Sequence, residues 1–270
     1  MSLYCPQGTC YQVNGQASKP ALVLIHGVGL DHTMWQAQVQ ALVPDYQVMT
    51  YDLLGHGLSP RADAGTSLDT LVAQLLQLLN FLALDRVHLV GFSLGGLIAR
   101  VVASQHNQRL NSLIIMSSVF NRGPDLSAAI LERVVQVDLH GPIVNIDQAL
   151  ERWFSPAYAQ ANPSYIRQLR SQVLANHQPS YSRCYRLFGE GDNVAAAQLG
   201  QITSPTLVIT GELDSGSTPA MSQALAAKIA GATATIVTNA RHMMPVENAA
   251  QVNQHMRDFL ALHNTHTANP

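Results

Sequence analysis

Short, continuous apolar runs recur along the chain, and glycine or polar residues follow them. Runs of this kind are typical of strands that are buried on both faces of a sheet. They predict six strands, at residues 21–25, 47–51, 86–91, 110–117, 206–210 and 234–237.

Apolar residues at helical spacing lie between these runs. After Ser67, a favourable N-cap residue, leucine or valine recurs at positions 68, 71, 72, 75, 76, 79 and 82, which predicts a helix. Further helices are predicted from Ser93 to about residue 105 and over 252–262. Strands alternating with helices indicate an α/β fold, with a mostly parallel central sheet that helices cover on both faces.

One long segment, residues 120–198, departs from this alternation. It contains helical patterns at 128–137 and 164–175, several prolines and glycines, and no apolar run typical of a strand. We therefore predict a helical cap at 120–198, inserted between a first part of the core at 1–119 and a second part at 199–270.

Composition narrows the classes of partner. The chain has 270 residues, a net charge of −2 and only 12% charged residues, so we expect neither nucleic acid nor a membrane as partner. The first residues have no basic region followed by an apolar one, which predicts no signal peptide and a cytoplasmic location. The three cysteines form no C-x-x-C pair, and we predict no metal site. Composition does not indicate the oligomeric state.

The clearest chemical signal is Gly91-x-Ser93-x-Gly95, which lies where a predicted strand ends and a predicted helix begins. A sharp turn there would place the serine in a strained conformation and project its hydroxyl above the sheet edge. Bulky neighbours would clash with the strand and the helix, which explains the glycines. The pattern in this context predicts that Ser93 is a nucleophile.

A serine nucleophile needs a base, and the order expected for this turn is serine, acid, histidine. Asp214 follows the predicted strand at 206–210, and Glu212 is a nearby alternative. His242 follows the next strand. We predict that Asp214 orients His242, which takes the proton of Ser93.

Two backbone N–H groups are the expected donors to the oxyanion of a tetrahedral intermediate. One is that of Leu94, directly after the nucleophile. The other is that of Val28, in the loop after the first long strand. We expect His26, His56 and Asp52 to support the loops beside the site rather than to take part in proton transfer.

The motifs H-G-V-G, D-L-L-G-H-G-L-S, G-F-S-L-G-G, G-E-L-D and R-H-M-M-P-V-E resemble, in order and spacing, those of the α/β-hydrolase superfamily. The resemblance extends over residues 20–262. It implies a mostly parallel sheet, a helical cap and no cofactor. Residues 152–156 and 216–219 are similar to those of the 3-oxoadipate enol-lactonases and related ring-cleavage-product hydrolases.

The predicted cap is rich in arginine, whose planar guanidinium binds carboxylates through paired hydrogen bonds. Arg122 and Arg152 within the cap, and Arg241 beside the base, are candidate ligands of a carboxylate on a small-molecule substrate. Trp153 is a candidate for the apolar wall.

A serine nucleophile with a histidine base, an orienting aspartate and two oxyanion donors predicts hydrolysis of an ester or enol-lactone through an acyl-enzyme. An activated amide, such as an aminomethylene-succinate enamide, is the alternative, and vinylogous C–C hydrolysis is a third. Because some α/β-hydrolase folds bind small molecules without turning them over, a binding protein is the non-enzymatic alternative.

Overall fold

The computed structural model describes residues 2–264. Their strands are β1 Leu3–Tyr4, β2 Cys10–Asn14, β3 Ala21–Ile25, β4 Gln47–Tyr51, β5 Val87–Phe92, β6 Leu110–Met116, β7 Thr206–Gly211 and β8 Thr233–Val237. They form one sheet in the order β1-β2-β4-β3-β5-β6-β7-β8. Strands β3 to β8 pair in parallel, whereas β1 and β2 are antiparallel at one edge.

The helices of the core are α1 Gln36–Leu42, α2 Leu68–Phe81, α3 Leu94–Gln105, α9 Pro219–Ala226, α10 Met244–Glu247 and α11 Ala249–Leu262. Helix α2 packs on α3, α1 packs on α10 and α11, and α9 packs on β7 and β8. The sheet and these helices contribute most of the hydrophobic core, which extends into residues 120–198. The architecture confirms the predicted α/β-hydrolase fold, with a mostly parallel sheet flanked by helices.

The six predicted strands are β3 to β8, with bounds that differ by at most one residue. The central strands β3 and β5 are buried at every position, which is why each reads as an apolar run with no polar face. The first two strands were not predicted. Strand β1 has only two residues, and three of the five residues of β2 are half-buried. Neither strand therefore has a continuous apolar run, and β2 is recognised as a strand only by its pairing with β4.

The predicted cap segment contains five helices and no strand. They are α4 Pro124–His140, α5 Ile146–Trp153, α6 Pro156–Ala161, α7 Pro163–Leu174 and α8 Gln178–Glu190. Four of them carry proline in the first turn, where the missing N–H and the fixed φ angle suit a helix start. None of the helices within residues 2–264 combines the length and the apolar character that crossing a bilayer requires.

Helix α2 begins with a capping box. The Ser67 hydroxyl accepts a hydrogen bond from the Thr70 N–H at 3.2 Å, and the Thr70 hydroxyl accepts one from the Ser67 N–H at 3.1 Å. Each side chain thus satisfies a backbone donor that the first helical turn leaves free.

We predict that Ser67→Ala lowers the free energy of unfolding by about 1 kcal/mol, because the cap is lost. Urea denaturation would measure the change. The control is Ser171→Ala, at an exposed position within α7, where alanine is the better helix former and no loss is expected. Equal stability of the Ser67→Ala variant and the unmodified protein would contradict the capping role.

Candidate active site

Ser93 lies in a tight turn between the end of β5 and the start of α3. Its backbone has φ 54° and ψ −113°, a conformation that residues with a side chain rarely adopt. A Cβ atom at Gly95 would collide with the carbonyl oxygens of Ile25 and His26, and one at Gly91 would collide with the backbone of Gly95. The glycines on either side of Ser93 are therefore required by the close approach of strand and helix.

Asp214 and His242 follow β7 and β8, respectively, and meet beyond the carboxyl ends of these strands. The Asp214 Oδ2 atom lies 2.7 Å from Nδ1 of the His242 ring. The other carboxylate oxygen accepts the N–H groups of Gly216 and Ser217, both at 2.9 Å. Since Nδ1 faces a carboxylate, it carries the proton of the neutral ring, which leaves Nε2 as the basic nitrogen.

The alternative acid, Glu212, has a different partner. Its Oε2 atom accepts the backbone N–H of Asn239 at 2.9 Å. The structure thus brings Asp214, and not Glu212, to the histidine.

Ser93, Asp214 and His242 all line one cavity of about 320 Å³. The His242 ring is close to two aromatic side chains, with its centroid 5.0 Å from that of Phe92 and 6.3 Å from that of Trp153. Three groups that are far apart in the sequence therefore share one partly enclosed space, as nucleophilic catalysis would require.

The predicted oxyanion donors, Val28 and Leu94, belong to two different segments of the core. Leu94 is the first residue of α3, so the helix has no acceptor for its N–H, and the positive end of the helix dipole lies there. Val28 lines the cavity beside Gly27 and Ser93. The positions of both residues are compatible with the predicted role.

Two buried histidines hold the loop that contains Val28. The His26 Nε2 atom accepts the Leu53 N–H at 3.0 Å, and the His56 Nε2 atom accepts the Gly29 N–H at 2.9 Å. Burial lowers the pKa of His26, and it lowers that of His56 to about 3. Both rings are therefore neutral near pH 7 and support the loop, as the sequence analysis expected.

Asp52 also stabilises the loops beside the site. Burial, the largest single effect, raises the pKa of its carboxyl, but the hydrogen bond from the His32 ring and several weaker favourable interactions, among them the backbone N–H groups of Leu58 and His32, together outweigh it and lower the pKa to about 2. Asp31, His32 and Asp52 place ligand-type atoms within 4.8 Å of one another. Since the carboxylate of Asp52 already accepts the ring and backbone N–H groups of His32 and the N–H of Leu58, we assign this group to the loop structure rather than to metal binding.

Arg122, predicted as a substrate ligand, lines the cavity and is already paired. It forms a salt bridge with Asp192 and donates to the Gly189 carbonyl at 3.0 Å. Its guanidinium lies over the Phe188 ring, 4.9 Å from the centroid. Asp192 thus compensates the charge of Arg122 before any ligand binds.

Arg152 and Trp153 also line the cavity, and a further arginine, Arg133, joins them. Within residues 2–264, neither Arg133 nor Arg152 forms a salt bridge. The Nε atom of Arg133 is buried and has no hydrogen-bond partner in the part of the chain that the structure describes. Burial, and then the charge of Arg133, lower the pKa of Arg152. Two uncompensated guanidinium groups therefore lie in the cap side of the cavity.

Arg133 was not among the residues predicted to bind the substrate. A signal was present, because Arg133 lies seven residues after Leu126 and three after Ile130, on one face of α4, and all three line the cavity. Only the packing of α4 shows that this face points to the cavity.

Arg241 lies elsewhere than predicted. Its guanidinium donates to the backbone carbonyls of Glu151 and Phe154, and it is absent from the lining of the cavity that contains Ser93. Because Nη1 binds both of these carbonyls and the residue does not line the cavity, the structure does not support Arg241 as a ligand of the substrate.

Comparison with known proteins agrees with this architecture. The model of the α/β hydrolase fold family matches residues 20–249. The chain is 30% identical over 245 residues to (E)-2-((N-methylformamido)methylene)succinate hydrolase of Acinetobacter baylyi, covering 91% of this chain and 92% of that protein. It is 28% identical over 243 residues to 3-oxoadipate enol-lactonase 2 of the same organism, covering 90% and 89%.

Among solved structures, the enol-lactonase from Burkholderia xenovorans LB400 has a TM-score of 0.86 and 28% identity, covering 94% of this chain and 97% of that one. The relatives are hydrolases, and their similarity extends through core and cap alike. The chain therefore belongs to the α/β hydrolase fold family and is an α/β-fold hydrolase that resembles the enol-lactonase group.

Proposed function

We propose that the protein is a serine hydrolase that acts through an acyl-enzyme on Ser93. The hydrogen bond between His242 and Asp214, in the cavity that also contains Ser93 on its strained turn, is the observation that carries the proposal. His242 Nε2 takes the hydroxyl proton as the Ser93 oxygen attacks the substrate carbonyl. The negative charge that develops on the carbonyl oxygen is stabilised by the N–H groups of Val28 and Leu94.

Collapse of this intermediate breaks the bond to the leaving group, which receives the proton from His242. Water then attacks the acyl carbon, with His242 again as base, and releases the acid and the free Ser93 hydroxyl. Asp214 holds the ring in the tautomer with Nδ1 protonated and stabilises the imidazolium form of both steps.

We further propose that the substrate is small and carries a carboxylate. Arg133 and Arg152 supply two positive charges without counter-ions in a partly buried cavity, and burying an unpaired charge is costly unless a ligand compensates it. A carboxylate would accept paired hydrogen bonds from either guanidinium. The names of the two curated relatives, which contain succinate and 3-oxoadipate, point to acids as well.

We propose first that the bond cleaved is that of an ester or an enol-lactone. An activated amide is the second candidate, and the 30% identity to a hydrolase of a formamido-methylene succinate favours it specifically. A panel of acid-bearing enol-lactones and enamides, assayed with the same preparation, distinguishes the two. The class with the higher kcat/KM identifies the bond, and activity confined to neutral short-chain esters would contradict recognition of a carboxylate.

Replacement of the proposed triad residues tests the mechanism. Ser93→Ala should abolish formation of an acyl-enzyme, and Asp214→Asn should lower kcat by about 10⁴, because the histidine then loses its correct tautomer. A p-nitrophenyl ester provides the burst and the steady-state rate. Glu212→Gln is the matched control, since that carboxylate binds the Asn239 backbone N–H rather than His242, and it should retain activity. Equal losses in Asp214→Asn and Glu212→Gln would contradict the assignment.

Substitution of the two cavity arginines tests whether the substrate carries a carboxylate. Arg133→Met and Arg152→Met should each lower kcat/KM for an acid-bearing ester about 10–100-fold, since a hydrogen bond to a charged group contributes about 1.5–3 kcal/mol. The rate for an uncharged ester of equal size should change little. The control is Arg167→Met, because Arg167 lies outside the cavity and donates to Ser164 within α7. Unchanged selectivity in both cavity variants would exclude these residues as the anion site.

A further inference from the structure

The end of α5 lies directly against the segment that carries the catalytic histidine. This end of the helix contains Arg152 and Trp153, and it is followed by Ser155, the N-cap of α6. The opposing segment runs from Arg241 to Glu247 and includes His242. A part of the cap that lines the substrate cavity is thus in contact with the loop of the proposed base.

Three sets of hydrogen bonds join the two segments. The Met243 N–H donates to the Trp153 carbonyl at 3.0 Å. The Ser155 N–H lies 3.0 Å and 3.3 Å from the two carboxylate oxygens of Glu247. Arg241 donates to the carbonyl of Phe154 at 3.3 Å and to that of Glu151. One contact is therefore between backbones, and the other two depend on the side chains of Arg241 and Glu247.

The two side chains act on opposite helix ends. The last carbonyls of α5 have no partners within the helix, and a cation is favourable there. Arg241 satisfies this end. The first N–H groups of α6 have no partners within their helix either, and an anion is favourable at that end. Glu247 binds the N–H of the N-cap residue, so the short connection between α5 and α6 is held at both of its ends.

The end of α5 also places an aromatic ring against the imidazole of His242. The Trp153 ring stacks on the His242 ring with an interplanar angle of 29° and a centroid distance of 6.3 Å. Arg152, the residue before Trp153, extends into the cavity. The position of the anion-binding guanidinium relative to the base thus depends on how α5 ends.

We propose that Arg241 and Glu247 are positioning residues that together clamp the end of α5 to the histidine loop. The clamp holds Arg152 and Trp153 at a constant distance from His242 and Ser93, so that a substrate held by its carboxylate presents its carbonyl to the nucleophile. The proposal rests on the carboxylate recognition proposed above. Displacement of a bound substrate by about 1 Å lowers rates by up to about a hundredfold, which gives the clamp a direct kinetic consequence.

A pair of probe esters tests the clamp. p-Nitrophenyl acetate is neutral, whereas mono-p-nitrophenyl succinate has the same leaving group and a carboxylate. In Arg241→Met and in Glu247→Ala, the ratio of kcat/KM for the succinate ester to that for the acetate should fall about tenfold or more. The loss should appear mainly in kcat, because Arg133 and Arg152 still bind the carboxylate but hold it in a displaced position.

Two control variants separate positioning from general structure. Glu247→Gln keeps an oxygen that accepts the Ser155 N–H and should restore most of the ratio. Arg257→Met removes an arginine that also donates to a backbone carbonyl, that of Ala41 at 2.7 Å, but at a site remote from the cavity, and should leave the ratio unchanged. Thermal unfolding of each variant verifies that it is folded at the assay temperature.

The possible outcomes are distinct. A ratio that is high in the unmodified protein and unchanged in Arg241→Met and Glu247→Ala overturns the clamp but not the proposed function. An equal loss for both esters also overturns it, since that result indicates a general structural role. If the unmodified protein shows no preference for the succinate ester, carboxylate recognition fails, and the clamp proposal fails with it.

Discussion

The close approach of helix α3 to the end of strand β3 is the constraint on which the rest of the site depends. Gly95 touches the carbonyl groups that end β3, and this contact is possible only without a side chain. It forces the turn at Ser93, whose positive φ costs about 1–3 kcal/mol. Hydrogen bonds of the Ser93 N–H to Met116 and of its carbonyl to Gly96, both at 2.9 Å, hold the turn.

Burial controls the charges around this turn. His26 and His56 are fully buried, and burial lowers the pKa of each, so they act as neutral acceptors that hold the loop of Val28. The cap side of the cavity contains charged rather than neutral groups. Arg133 and Arg152 form no salt bridge with a carboxylate among residues 2–264. Uncompensated charge in a cavity destabilises the free protein and is typical of a site that binds an oppositely charged ligand.

The predicted cap is joined by hydrogen bonds to the core segments that form the site. Hydrogen bonds of Arg241 and Glu247 join it to the histidine loop. Arg100, a buried residue of α3, joins it to the helix that follows Ser93. Arg100 donates to the carbonyls of Gly191 and Asp192 at 2.9 and 3.2 Å, and Asp192 in turn pairs with Arg122. Arg122, at the end of one set of contacts, lines the cavity, and Trp153, at the end of the other, stacks on the His242 ring.

Because apolar runs and the residues that end them are local patterns, the sequence was sufficient to predict the six parallel strands, the strand-free helical segment 120–198 and Ser93, Asp214 and His242 as candidate residues. Parallel strands present their carboxyl ends at one edge, so the side chains that follow them converge. The tertiary structure was needed to show that Asp214, the preferred candidate, rather than Glu212 meets His242, that Arg133 faces the cavity and that Arg241 lies outside its lining. These outcomes depend on the direction of a side chain and on packing between distant segments, and a residue's neighbours along the chain do not specify either.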